Sequence, residues 1–595
     1  MIVRGEDAQY GPWNPGIVSP VPDELRRYCT IFLPENVATS LDTALELHDL
    51  TGLEPSELVA FRPQRLALHE LLIRVTADLS VPDGVRVEDL GRNFREMTRT
   101  ILTRHIVPHM EDIEDSFESA RRELATLIDS ELGIASAGMS APAKGRRGGL
   151  GRIFRRRPKF DPGSGAASRW EARLPEWNSR IAGGSEPHAT ACRALAQVVS
   201  AMLRRHGGPW GTPQLVAAIA VNVACNEYGS DVVGRAIEPL LSRAVQQEGY
   251  HLLPAQQSPV IMNTKGPSAS GKSTLRPLQK ELASHIGVNW SDFALISPDI
   301  WRKQLLDYDS LGAHFKYAGG FTGEELQIVD QKLDRYIARK AAHGKISHLL
   351  IDRFRFDSFA ADSDEPGSNL LTRFGRVIYL FFMITPPQSL VERAWARGLD
   401  VGRYKAVDDT LAHAVEAYSG MPQLFFTWIR RADKRVHFEF LDNSVRRGER
   451  PRTVAFGDND TINVLDVSCM LNIERYRKAN INAKQVQALY RDETALAPQR
   501  NLQFLQQCLG RFHNVNFAEQ ATGRIYLKVE SGGIVWTDRE LLGRSLGGAD
   551  VAAALASFAK ALAEQRDAST ESQIFLQSLP DYARVPTLGR WGYGP

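Results

Sequence analysis

The run NTKGPSASGKSTLRP, residues 263 to 277, limits the fold of this 595-residue chain more than any other stretch. Gly266, Pro267, Ser268, Ala269, Ser270, Gly271, Lys272 and Ser273 satisfy G-x-x-x-x-G-K-[ST] at every fixed position, and Thr274 follows. The apolar Val260, Ile261 and Met262 come before it and TLRPLQKELASHI after it, so the context predicts a strand, a loop and a helix. Glycine is needed where a loop wraps a phosphate and offers its own backbone N–H groups. In such a loop Lys272 reaches the β- and γ-phosphates, the Ser273 hydroxyl joins a Mg²⁺ shell, and the helix turns its positive end to the anion. The motif therefore implies a nucleoside triphosphate with Mg²⁺ and an α/β fold around them.

The pattern after the loop agrees. PVIMN, FALIS, HLLID, RVIYLFFMI and VHFEFLD are short apolar runs separated by helical stretches, which predicts a five-stranded, mostly parallel sheet covered on both faces. The expected units are a helical N-terminal domain at 1–136, a flexible basic linker at 137–184 and a helical segment at 185–255. A P-loop domain at 256–450 and a small α+β region at 451–595 follow. In the last, NVLDVSCMLNIERYRKANI reads as helix and GRIYLKVESGGIVWTD as a hairpin turning at Ser531, Gly532 and Gly533.

Composition narrows the class. Lys and Arg number 72 against 70 Asp and Glu, so net charge argues for neither a nucleic-acid coat nor an acidic partner. The basic cluster Arg146, Arg147, Arg152, Arg155, Arg156, Arg157 and Lys159 could bind nucleic acid, but solvated linker charge is the favoured reading. The five cysteines have no C-x-x-C spacing, which fits a reducing compartment. No apolar run reaches the ~20 residues that span a bilayer. The expected location is cytoplasmic, with export as an effector left open.

Chemistry is expected where strands end, because ligands of doubly wound sheets bind at the carboxyl edge. Asp299, in FALISPDIWRKQL, stands at such an edge, where it serves either as general base for a substrate hydroxyl or as a helix N-cap. The P-loop in the same sheet favours the base. Asp352, at the end of LLID, is placed near Mg²⁺, and Arg353 and Arg355 follow it as either acceptor-pocket residues or surface ion-pair partners. TPPQSLVERAWARGLDVGRY puts Arg393 and Arg397 four apart on one helix face with Arg403 beyond, a pattern for a lid closing on a transferring phosphoryl group. Asp299, Arg302, Arg353 and Arg355 are the candidate acceptor-binding residues.

GPSASGKST, SPDIWRKQL, EELQIVDQKLDRYIARKAAHGKISHLLIDRFRFD and VIYLFFMITPPQSLVERAWARG together resemble the zeta-toxin-like kinases, over about residues 256 to 445. The resemblance implies Mg²⁺- and ATP-dependent phosphorylation of a hydroxyl on a nucleotide-type metabolite, a UDP-N-acetylglucosamine-like sugar nucleotide or NAD. It implies use as a toxin, effector or defence protein, with Asp299 as general base and Arg393, Arg397 or Arg403 in the lid. An antitoxin-like inhibitor, in cis or in trans, is then expected, and residues 1 to 250 are a candidate for the cis role. The family's Gly-Thr-x-Arg-like run is replaced here by Asp352, Arg353, Phe354 and Arg355. The alternatives are a polynucleotide 5′-kinase and a nucleotide-sensing regulatory ATPase that transfers to no acceptor.

Overall fold

The computed structural model describes residues 10–134, 170–207, 211–353, 370–558, 573–580 and 585–592. The basic cluster from Arg146 to Lys159, and Arg355, lie outside these residues.

Strands β1 (Val260–Lys265), β2 (Phe293–Ile296), β3 (His348–Asp352), β4 (Val377–Ile384) and β5 (Arg435–Asp442) run parallel, in spatial order β5-β4-β1-β3-β2. They are almost wholly buried, as expected for apolar runs covered on both faces. The expected five-stranded sheet is corrected in its extent. Strands β6 (Arg452–Gly457), β7 (Thr461–Val464), β8 (Asn514–Ala518), β9 (Ile525–Glu530) and β10 (Gly533–Thr537) continue outward from β5, giving one mixed sheet of ten strands with helices on both sides.

The joint is antiparallel between β5 and β6. An unpaired β5 would be a long apolar edge, and the C-terminal strands cover it. The tail returns to the same place: buried Glu439 on β5 accepts hydrogen bonds from Leu588 N at 2.6 Å and Gly589 N at 2.9 Å. The hairpin β9–β10 turns through Ser531 (φ +48°) and Gly532 (φ +80°), the two positive values that a tight two-residue turn demands. NVLDV, expected to begin a helix, is split. β-branched residues carry β7 through Val464, and Asp466 caps the helix Val467–Tyr476 by accepting from Cys469 N at 2.9 Å.

The N-terminal helices are those expected, with two corrections. FREMTRTILTRHIVPHMEDIEDSFESARRELATLIDSEL, Phe94 to Leu132, carries one continuous helical periodicity, yet it forms parts of two helices, Asp89–Ile101 and Met110–Leu132, joined through a wide and then a tight turn around Pro108, which cannot donate its N–H. Within the stretch expected as linker, Leu174–Gly183 is a helix that buries Trp177. Among the described residues no helix is long and apolar enough to cross a membrane.

The helix Pro63–Asp78 lies at the centre of the molecule, with every residue from Arg65 to Ala77 buried. Four of those residues are Arg65, His69, Glu70 and Arg74, and burial is tolerable only because each is paired. Arg65 grips Glu325 of the helix Gly323–Ala342 at 2.5 and 2.7 Å, and His69 Nε2 is 2.7 Å from the same carboxylate. Lys332 Nζ donates to Ser230 Oγ at 2.8 Å, and Ser230 Oγ donates to Glu70 at 2.6 Å. These bonds tie the helix Pro63–Asp78 and Ser230 to the helix Gly323–Ala342.

Candidate functional site

Strand β1 is flanked by β3 on one side and β4 on the other, so the chain reverses its direction of strand addition there, the place where ligands of doubly wound sheets bind. Residues 266–271 form the loop at that point. Gly271 has φ +92°, and a Cβ on it would strike the Asn443 amide. Ala269, with φ +65°, holds a conformation that non-glycine residues rarely adopt. The expected following helix begins as a tight turn, Lys272–Leu275, and becomes α-helix only from Arg276 to His285. Pro277 explains this, since it has no N–H to offer the Ser273 carbonyl.

Strand ends on either side brace the loop. Asn443, after β5, donates Nδ2 to Ser270 O at 2.7 Å, and Thr385, after β4, donates Oγ1 to the same carbonyl at 3.4 Å. Tyr418 fixes Thr385 by accepting from its N at 2.8 Å and donating to its O at 2.6 Å. The Asn443 bond is worth about 0.5–1.5 kcal/mol, so Asn443→Ala is expected to destabilise the chain by about that amount, read by urea unfolding.

Lys272 lies across the loop, donating to Gly266 O and Pro267 O at 3.1 Å each. Burial lowers its pKa, and Asp352 and Asp299 oppose that shift. Asp352 pairs in register with Thr264 on β1, and its Oδ2 accepts from Ser273 Oγ at 2.7 Å. A hydroxyl beside a carboxylate at the foot of a phosphate loop is a hard-oxygen donor set of the kind Mg²⁺ takes. Ser273 and Asp352 therefore fit the metal, and Lys272 with the loop backbone fits the triphosphate.

Asp299 sits in a tight turn, Pro298–Trp301, just beyond β2, with its side chain 52% exposed. It is no helix cap. One oxygen takes Arg302 Nε at 3.0 Å and the other Arg403 Nη2 at 2.6 Å. Desolvation acts to raise its pKa, but Arg403 and then Arg302 outweigh it and hold the carboxyl well below the usual range. The turn is set from beneath by the helix Pro63–Asp78: Trp301 Nε1 donates to Thr76 Oγ1 at 3.2 Å, and Arg65 donates to Leu305 O at 2.7 Å.

The candidate lid is the helix Pro387–Val401, ended by Gly402 at φ +73°. The three candidate arginines, Arg393 and Arg397 on this helix and Arg403 beyond it, divide. Arg403 meets Asp299. Arg397 lies in the same electrostatic cluster, its pKa lowered to about 10 by burial and then by Arg403. Its Nε is buried with no hydrogen-bond partner among the described residues. Arg393 points elsewhere, donating to Asn443 O at 2.6 Å and Val445 O at 3.2 Å, so it braces the loop after β5.

Two acceptor candidates are committed to structure. Arg353 is 2% exposed and ion-paired to Asp330, at 2.7 Å, and to Asp334, which ties β3 to the helix Gly323–Ala342. Arg302, besides Asp299, donates to Gly319 O at 2.6 Å and Thr322 Oγ1 at 2.9 Å. The sequence reading missed Asn443, Thr385, Tyr418 and a cluster of Lys405, Asp409 and His413. The last had a signal in its spacing of four, and Asn443 had one in following a parallel strand.

The chain matches no family profile, no curated protein and no solved structure.

Proposed function

We propose that the protein is a P-loop phosphotransferase that moves the γ-phosphate of Mg·ATP to a hydroxyl of a small nucleotide-type metabolite, a sugar nucleotide like UDP-N-acetylglucosamine or NAD. The observation that carries this reading is the half-exposed Asp299 carboxylate, held between Arg302 and Arg403 on the same sheet edge as the phosphate loop. A binding protein that only sensed nucleotide would have no use for an accessible carboxylate there.

When bound, Mg·ATP supplies the phosphoryl group and the charge neutralisation between its β- and γ-oxygens. Lys272 and the loop backbone would hold the phosphates, and Ser273 and Asp352 the metal. Asp299 would accept the acceptor's O–H in a hydrogen bond and take its proton. The new O–P bond forms as the bond from the γ-phosphorus to the β–γ bridging oxygen breaks, and ADP departs with that electron pair. A carboxylate with a low pKa suits this role, because in a loose transition state the hydroxyl proton leaves late and orientation matters more than base strength. Arg397 and Arg403 would neutralise charge on the group in flight.

The test is to incubate the full chain with Mg²⁺ and γ-labelled ATP against UDP-sugars, NAD, nucleosides and 5′-hydroxyl oligonucleotides. Label on one small molecule is the expected result. Label on oligonucleotides alone would move the reading to a polynucleotide kinase, and binding without transfer to a nucleotide sensor.

A further inference from the structure

Two residues beyond Arg403 the chain brings Lys405 to the start of the helix Val407–Ile429. The placement is electrostatically awkward. Lys405 precedes the cap residue Ala406, so its ammonium sits at the positive end of the helix dipole. Its side chain is only 11% exposed, although a lysine in a loop can normally keep its charge in water. Arg397 from the lid helix adds a further cation nearby.

A small relay holds it there. His413 Nε2 lies 3.2 Å from Asp409 Oδ1, His413 Nδ1 hydrogen-bonds Lys405 Nζ, and Asp409 Oδ2 is 3.5 Å from the same ammonium. An ammonium can only donate, so Nδ1 is the accepting nitrogen and Nε2–H donates to Asp409. The imidazole is neutral, in agreement with burial and then Lys405 pushing its pKa down to about 3. The titratable and charged groups facing Lys405 are Asp409 and His413 of the adjoining helix, Arg397 of the lid helix and Asp299 of the turn after β2. Lys272 of the phosphate loop and Asp299 also act on His413. The cluster therefore lies within electrostatic reach of both the loop lysine and the candidate base.

Tyr404 locks the segment against the lid. Its ring packs at 5.6 Å from Trp395 and 5.7 Å from Phe315, over Gly398, where a Cβ would come within 2.5 Å of the ring. Arg403 and Lys405 flank this anchored ring in the chain, and Asp299 acts on both cations.

We infer that Lys405 is a catalytic cation that contacts the transferring phosphoryl group, with His413 and Asp409 as its positioning residues. The inference rests on the phosphotransferase reading. No proton moves through Lys405; its charge offsets that developing on the phosphoryl oxygens, the gain which compensates for burying an ammonium.

The experiment follows kcat/KM for Mg·ATP in the full chain from pH 6 to 10, with UDP-N-acetylglucosamine, NAD or water as acceptor of the γ-label. Burial lowers the Lys405 pKa to about 8, so wild-type activity is expected to fall as pH rises through that value. Lys405→Arg is expected to retain transfer and move the fall upward by more than one pH unit, since a guanidinium does not deprotonate there. Lys405→Met is expected to lower transfer by about 10²–10³-fold and to remove the alkaline limb. His413→Gln is expected to shift the limb while costing less at pH 7.

Transfer by Lys405→Met within about threefold of wild type, with the limb unmoved, would overturn the inference and leave the phosphotransferase reading intact. Should Lys405→Met fail to bind Mg·ATP through misfolding, the Lys405→Arg profile decides, and an unshifted limb there also overturns it. If the wild-type chain moves no γ-phosphate to any acceptor or to water, both readings fall together.

Discussion

Replacing Asp299 with Asn is expected to lower phosphoryl transfer by about 10²–10⁴-fold while leaving Mg·ATP affinity close to wild type. The amide keeps the size of the carboxylate and can still accept a hydrogen bond, but it cannot take the acceptor's proton. The site makes the outcome easy to interpret, because Asp299 lies on the turn after β2, whereas the residues proposed to hold the triphosphate lie on the loop after β1. The carboxylate also holds Arg302 and Arg403, at 3.0 and 2.6 Å. Its loss therefore weakens the hold on one lid arginine, and part of the decrease comes from that. Arg403→Lys separates the two effects: it keeps a charge and the base but gives up the planar fork, so a smaller loss of kcat is expected. Single-turnover transfer of γ-label, alongside equilibrium ATP binding, reads both. An Asp299→Asn protein that transfers label at the wild-type rate would remove Asp299 from the mechanism.

The second large effect concerns stability. Glu325→Gln is expected to destabilise the chain by about 3–5 kcal/mol, measured by urea unfolding near pH 7.5, because it leaves the buried Arg65 guanidinium without its counter-charge. Glu325 is 0% exposed and takes two bonds from Arg65 and one from His69. Desolvation alone would raise its pKa, yet Arg65 and then His69 hold it far below the usual carboxylate range. The depressed value means that this contribution is present above pH ~4.5 and is lost as pH falls through the folded-state pKa. His69, lowered to about 4 by burial, acts over a higher window. Below pH ~6.5 the unfolded chain takes up a proton that the folded chain refuses, so stability declines from there toward pH 4. The wild-type chain is expected to lose urea resistance on acidification in two stages, and Glu325→Gln to lack the lower one.

This network also bears on what residues 1 to 250 do. The helix Pro63–Asp78 holds the turn that carries Asp299, through Trp301 with Thr76 and Arg65 with Leu305. Cutting the helical region away would expose Glu325, Lys332 and Trp301 together. Such a deletion tests folding before it tests inhibition, and point substitutions on the lid side are the better probe of restraint in cis.

The phosphate loop, its flanking strand and the five parallel strands were legible in the primary structure because their signals are local. Gly271 is needed for one backbone angle, Lys272 for one charge, and each buried parallel strand for an unbroken apolar run. Asp299 and Asp352 could be placed because a parallel strand has only one carboxyl end. Helix Pro63–Asp78 was legible as part of a helical domain but not as a wholly buried element, since Arg65 and His69 meet their counter-charge, Glu325, only 260 and 256 residues further along the chain. The same limit applies to the lid. Sequence spacing put Arg393 and Arg397 on one helix face, while only the packing of that helix against the loop after β5 decided that Arg393 braces backbone and Arg403 meets Asp299. The C-terminal strands carried no mark of joining the main sheet, because backbone pairing leaves no side-chain code for which edge is met. Local geometry and charge type are written along the chain; partnership is decided by where folding brings distant segments, and that depended on the burial of β5 and of one charged helix.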